Sequence, residues 1–161
     1  MVHPVAERLI ADLASKGAML VTAESCTGGL IGASLTDISG SSAVFERGYI
    51  TYSNEAKMSN LGVSEEALIQ FGAVSGEVAE QMAKGAVQAS KAEFGISVTG
   101  IAGPGGGTED KPVGLVYIGL AADDGRSKVI RHLFTGDRSA VRQQTVDTAL
   151  TEMLDWVSGR L

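Results

Sequence analysis

The chain has 161 residues, 44% of them hydrophobic and 20% charged, with a formal net charge of −6. That length suffices for one domain with a substantial core, residues 1–161. The acidic balance excludes the basic face that a nucleic-acid backbone requires. No apolar run approaches the roughly 18 residues needed to cross a bilayer, and the N-terminus lacks the order of a secretory signal. A cytoplasmic protein without nucleic-acid or membrane partners is expected. A lone cysteine, Cys26, leaves no disulfide within the chain. His3 and His132 lie far apart and no CxxC or HExxH spacing exists, so no metal site is expected.

In chain order, "HPVAERLIADLASKG" predicts a helix, with Pro4 in its first turn and Gly17 as its stop. "AMLVTA" reads as a buried strand running into "ESCTGG". "GGLIGASLTDIS" predicts a short helix beginning at Thr27 or Gly28, and "YITYS" a strand ending at Tyr52 and Ser53. "NEAKMSNLG" and "SEEALIQFG" predict two capped helices, followed by a longer one over "SGEVAEQMAKGAVQASKA". "EFGISVTG" is a buried strand, and "IAGPGGGTEDKPVG" has too many glycines for anything but a loop. "LVYIGLAADDGRSKVIRHLF" predicts a hairpin turning at Asp123-Asp124-Gly125, and a last helix runs from Asp137 to Val157. Strands alternating with helices, plus one hairpin, imply an α/β fold. Its three layers are α/β/α, with a mixed, mostly parallel sheet of about five strands. The loops leaving strand ends make the site in such folds. Here those are "ESCTGG", "SNEAK" and "GIAGPGGG".

The first of these sets Ser25, Cys26 and Thr27 side by side. A nucleophile between a strand and a helix gains from the helix amides, and Gly28 and Gly29 admit close approach of a substrate. The alternative is that Ser25 or Thr27 only caps the helix. Cys26 needs a base, and neither histidine is well placed to supply one, so its place is in the core. For Ser25 the remaining base is a lysine, a known variant of the triad. Tyr52 and Lys57 in "TYSNEAK" stand five residues apart across a strand end and a helix start. Lys57 serves as base only if its pKa is lowered, with Tyr52 relaying or orienting the proton; otherwise it is a solvated surface lysine. Thr99 and Gly100 end a strand and offer a hydroxyl and an amide. Arg138 and Arg142 share a face near the start of the last helix, suited to a phosphate or carboxylate or to surface pairing.

Together, "TAESCTGG", "GSSAVFERGYITYSNEAK", "GAVSGEVAEQMA", "VTGIAGPGGGTEDKPVG" and "FTGDRSAVR" resemble the CinA C-terminal domain family from about Ala11 to Trp156. The resemblance implies hydrolysis of the carboxamide of nicotinamide mononucleotide, giving nicotinate mononucleotide and ammonia. It implies a serine nucleophile at Ser25, with Tyr52 and Lys57 assisting. Substrate contacts are implied at Glu24, Thr27, Gly28, Thr99 and Gly100 and at Arg138 or Arg142, with no metal or organic cofactor. A small-molecule nucleotide is the expected partner, and a homodimer or higher homo-oligomer the expected assembly. The alternative is a nucleotide-binding domain without turnover, linked to competence or DNA damage.

Overall fold

A computed structural model describes residues 1–161. The first helix, α1 (Pro4–Lys16), starts with proline in its first turn and ends where Gly17 turns left-handed at φ 64°. It feeds β1 (Leu20–Glu24), every residue of which is buried. After the turn that carries Ser25 come α2 (Leu30–Thr36), a 3₁₀ turn at Ser41–Ala43 and β2 (Phe45–Ile50). Next are α3 (Asn54–Leu61), α4 (Glu65–Phe71) and α5 (Gly76–Ala89), each opened by a serine side chain that accepts a backbone N–H. The strand β3 (Phe94–Gly100), the hairpin β4 (Leu115–Ala122) and β5 (Ser127–Leu133), and α6 (Arg138–Val157) complete the chain.

The five strands form one sheet in the order β2-β1-β3-β4-β5. β1 lies parallel to β2 and β3, whereas β4 is antiparallel to both of its neighbours. Four strands therefore point one way and β4 alone is reversed, the mixed, mostly parallel sheet expected. One face is covered by α1, α2 and α6, packed on Leu20, Ile96, Ile118 and Leu120. The other is covered by α3, α4 and α5, packed on Val21, Ala23 and Ala121. Each fully buried aliphatic side chain contributes about 1.5–3 kcal/mol over its exposed state. No helix is long and apolar enough to cross a membrane.

Two element boundaries differ from expectation, both beside the site. The strand placed at 49–53 runs instead over Phe45–Ile50, leaving Tyr52 and Ser53 outside it, and Ser53 caps α3. β2 is an edge strand, largely exposed, with Gly48 in its interior, so it lacks the apolar run of a buried strand. The glycine has a packing reason: a Cβ there would lie 2.9 Å from the Thr22 hydroxyl on β1. The helix expected to open at Thr27 or Gly28 begins only at Leu30. Gly28 and Gly29 both adopt positive φ, 60° and 104°, and form the turn that delays it.

One close approach sets the depth of the second layer. A Cβ on Gly85 of α5 would overlap the carbonyl oxygen of Leu61 at the end of α3. Glycine there lets α3 press onto α5, and α3 carries Lys57.

Candidate active site

Because β1, β2 and β3 are parallel, their C-terminal ends at Glu24, Ile50 and Gly100 reach the same edge of the sheet. The segments leaving them meet around a cavity of about 280 Å³ lined by Ser25, Cys26, Tyr52, Lys57, Thr99, Gly100 and Arg138. The glycine-rich loop contributes Gly103, Gly105 and Gly106 to the rim, and Ala73 and Val74 from the α4–α5 link form a further wall.

At the floor, Lys57 Nζ stands 3.0 Å from Ser25 Oγ. The amine also donates to the Thr51 carbonyl at 2.7 Å and is only 1% exposed. Lys57 and Leu61 lie one helical turn apart on the buried face of α3. Burial holds the lysine below its ordinary pKa, and no carboxylate sits against it to restore the charge. A neutral amine carries a lone pair, so the serine O–H can donate to it. Ser25 is a buried residue with no left-handed strain; only glycines have positive φ in this chain. The capping alternative fails for both hydroxyls, since Ser25 faces Lys57 and Thr27 donates to Glu24.

Glu24 and Thr27 lie behind the cavity, buried, rather than along its wall. The Glu24 carboxylate accepts from the Thr27 hydroxyl at 2.5 Å and from the amides of Gly29, Ile31 and Gly32 at 3.0–3.2 Å. The first amides of α2, expected to favour the nucleophile, are thus occupied by the chain's own carboxylate. Gly28 is exposed at the turn, and a Cβ on it would come 3.7 Å from the Arg142 guanidinium.

Cys26 borders the cavity, but burial pushes its thiol up to about 11. No histidine lies near it: His3 contacts Asp147 and His132 contacts Glu152. Tyr52 is 65% exposed, and its hydroxyl accepts from Arg138 Nη2 at 3.2 Å. The expected proton relay through Tyr52 has no hydrogen-bonded path, because Lys57 meets only the Tyr52 carbonyl, at 3.5 Å. Thr99 donates its hydroxyl to the Ala73 carbonyl at 2.9 Å, tying β3 to the α4–α5 link. Gly100 packs where a side chain would meet Val116.

The two arginines separate. Arg138 lies at the cavity mouth, where Nη1 donates to the Gly103 carbonyl at 2.8 Å. Arg142 does not line the cavity; it donates to the carbonyls of Cys26 and Thr27 at 3.0 and 3.1 Å.

Sequence reasoning missed Asn54, which also lines the cavity, and the Ala73-Val74 wall. Asn54 was findable as a polar residue inside the Tyr52–Lys57 spacing. The Ala73-Val74 segment carries no chemical side chain, and only packing of α5 on the sheet brings it to the edge.

The model of the CinA C-terminal domain matches residues 2–157. A nicotinamide-nucleotide amidohydrolase, PncC, of Enterobacter agglomerans is 50% identical, over 94% of this chain and 95% of that protein. PncC of Escherichia coli K12 is 51% identical, over 91% of this chain and 88% of its own length. The crystal structure of the competence/damage inducible protein CihA from Agrobacterium tumefaciens superposes with a TM-score of 0.92 at 48% identity, covering 98% of both chains. Matched over nearly its whole length in sequence and in fold, the chain belongs to the CinA C-terminal domain family.

Proposed function

We propose that the protein is an amidohydrolase that deamidates nicotinamide mononucleotide to nicotinate mononucleotide and ammonia. The observation that carries this reading is the 3.0 Å approach of Ser25 Oγ to a buried lysine of lowered pKa at the floor of the cavity. A serine is a weak nucleophile until a neutral base takes its proton, and burial of Lys57 favours that neutral form. The named activity of the PncC relatives supports the choice of substrate.

Ser25 Oγ attacks the carboxamide carbon as its proton passes directly to Lys57 Nζ. Of the backbone amides in the Ser25 turn, those of Cys26 and Thr27 donate to no group of the protein. Cys26 borders the cavity beside Ser25, and its amide takes the oxyanion. On collapse the C–N bond breaks, and Lys57 returns the proton to the leaving nitrogen, releasing ammonia. Water then attacks the acyl-serine ester, giving its proton to Lys57, which passes it back to Ser25. Arg138, exposed at the mouth and held by Gly103, meets the phosphate; Tyr52 orients that guanidinium rather than relaying a proton.

The test is to incubate the protein with nicotinamide mononucleotide and measure both products. Stoichiometric ammonia and nicotinate mononucleotide are expected. Tight nucleotide binding with no turnover by folded protein would establish the binding-module alternative instead.

A further inference from the structure

We infer that Arg142 and Glu24 are positioning residues, which grip the Ser25 turn from opposite sides and so aim the Cys26 amide at the reacting carbonyl. The inference rests on the serine-nucleophile reading above.

The hydrogen bonds of residues 25–32 account for almost every amide. Ser25 N–H donates to Val98, Gly28 to Ser25, and Leu30 to Thr27. Those of Gly29, Ile31 and Gly32 all end on the Glu24 carboxylate. Only Cys26 and Thr27 keep free N–H groups, although both residues are buried. Buried amides without a partner are rare in folded chains, and of these two it is Cys26 that borders the cavity beside the nucleophile.

Their direction follows from peptide geometry. In a planar trans peptide the C=O and the following N–H point opposite ways. Arg142 Nε holds the Cys26 carbonyl, so the Thr27 N–H points away from the guanidinium. The Gly28 amide holds the Ser25 carbonyl at 3.2 Å, which sets the Cys26 N–H in the same manner. Arg142 Nη2 also takes the Thr27 carbonyl, so one planar fork fixes two consecutive peptides. On the other side Glu24 gathers the amides of the following turn. A cation on the carbonyls and an anion on the amides each meet a complementary partner. Neither side chain lines the cavity, so both act through the backbone.

The experiment compares the full-length protein with Arg142→Lys, Arg142→Ala and Glu24→Gln, each checked by thermal melting. Lysine keeps the charge but cannot bridge two carbonyls with a rigid fork. Glutamine sets an NH₂ against backbone donors where a carboxylate oxygen stood. Two reactions are measured: kcat and KM with nicotinamide mononucleotide, and the rate at which a fluorophosphonate labels Ser25. In the labelling an Oγ–P bond forms as the Ser25 proton passes to Lys57, the P–F bond breaks and fluoride leaves, with the phosphoryl oxygen in the oxyanion position.

For folded Arg142→Lys we expect kcat and the labelling rate to fall together by about 10²-fold, with KM unchanged. Added methylguanidinium should restore part of both rates to Arg142→Ala, a recovery that a purely structural loss would not show. Wild-type labelling rates in folded Arg142 and Glu24 variants would overturn the inference and leave Ser25 as nucleophile. A rise in KM with labelling unchanged would also overturn it, making Arg142 a substrate contact. No label on Ser25 of the wild-type protein would overturn the nucleophile reading, and this inference with it.

Discussion

Two side-chain pairs, each with at least one buried titratable member, occupy opposite faces of the sheet, and only one of them opens onto a cavity. Lys57 and Ser25 meet at the parallel strand ends, under the cavity. His132 on β5 and Glu152 on α6 meet between the last helix and the edge strand, and neither lines any cavity of the fold. Burial shifts the titratable members of both toward neutrality. It lowers Lys57, lowers His132 and pushes Glu152 up to about 8. Glu152 even keeps one buried carboxyl oxygen without a partner. By pKa alone the second pair looks at least as functional as the first. Concavity and a nucleophile within reach distinguish them, since core packing perturbs titration as readily as catalysis requires it.

Substitutions at the two pairs should therefore diverge sharply. Ser25→Ala should lower kcat by about 10⁵-fold, the scale of removing a nucleophile. Lys57→Met should lower it by about 10³-fold, the scale of a lost general base. In the wild-type enzyme kcat/KM should rise with pH as free-enzyme Lys57 loses its proton, with a midpoint below the ordinary lysine value of 10.5. The stability contribution has the same sign. Between the lowered pKa and 10.5 the unfolded chain holds a proton that the folded lysine has released, so this residue's contribution grows with pH through that window. A pH–rate profile without an acid limb would remove Lys57 from the base role.

Packing beneath the site can be probed through Gly85. Gly85→Ala should destabilise the fold by about 1–3 kcal/mol in urea, because α3 must move away from α5. Since α3 carries Lys57, kcat should fall in the protein that remains folded. Unchanged activity would show that Lys57 is held by the Ser25 turn rather than by its own helix.

Smaller effects are expected beside the nucleophile and at the second pair. Cys26→Ala should keep activity within a few-fold, and alkylation of Cys26 at pH 8 should be slow, because a thiol raised to about 11 is protonated there. Inactivation by Cys26→Ala with Ser25→Ala still active would reverse the assignment. Glu152→Gln should leave kcat unchanged and alter stability alone. The wild-type carboxyl binds its proton more tightly when folded, so its contribution is full below about 4.5 and lost as pH rises through about 8. The Tm of Glu152→Gln should thus climb relative to wild type across that range; a constant difference would refute the shift.

Much of the architecture was legible in the chain. Gly17, Gly62 and Gly72 after apolar helical faces, and the serines before α3, α4 and α5, mark helix ends by local chemistry. Asp124-Gly125 between two apolar runs placed the hairpin. Ser25, Lys57 and the three loops could be named because a nucleophile, a candidate base and glycine-rich strand exits are local features. The limits of β2 were not legible, because an exposed edge strand with a glycine inside lacks the pattern of a buried one.

The partners of each side chain were not legible either. The sequence put Tyr52 beside the proton path, and the family resemblance grouped Glu24, Thr27 and Arg138 or Arg142 with the substrate. The fold turned the Tyr52 hydroxyl toward Arg138, drew Glu24 inward to the amides of α2, and set Arg142 on the backbone behind Ser25. Residue type and spacing therefore determined which groups could do chemistry. Only the tertiary structure decided which were used, because hydrogen bonds between residues 86 positions apart, as Arg138 and Tyr52, or 116 apart, as Arg142 and Cys26, depend on where α6 packs.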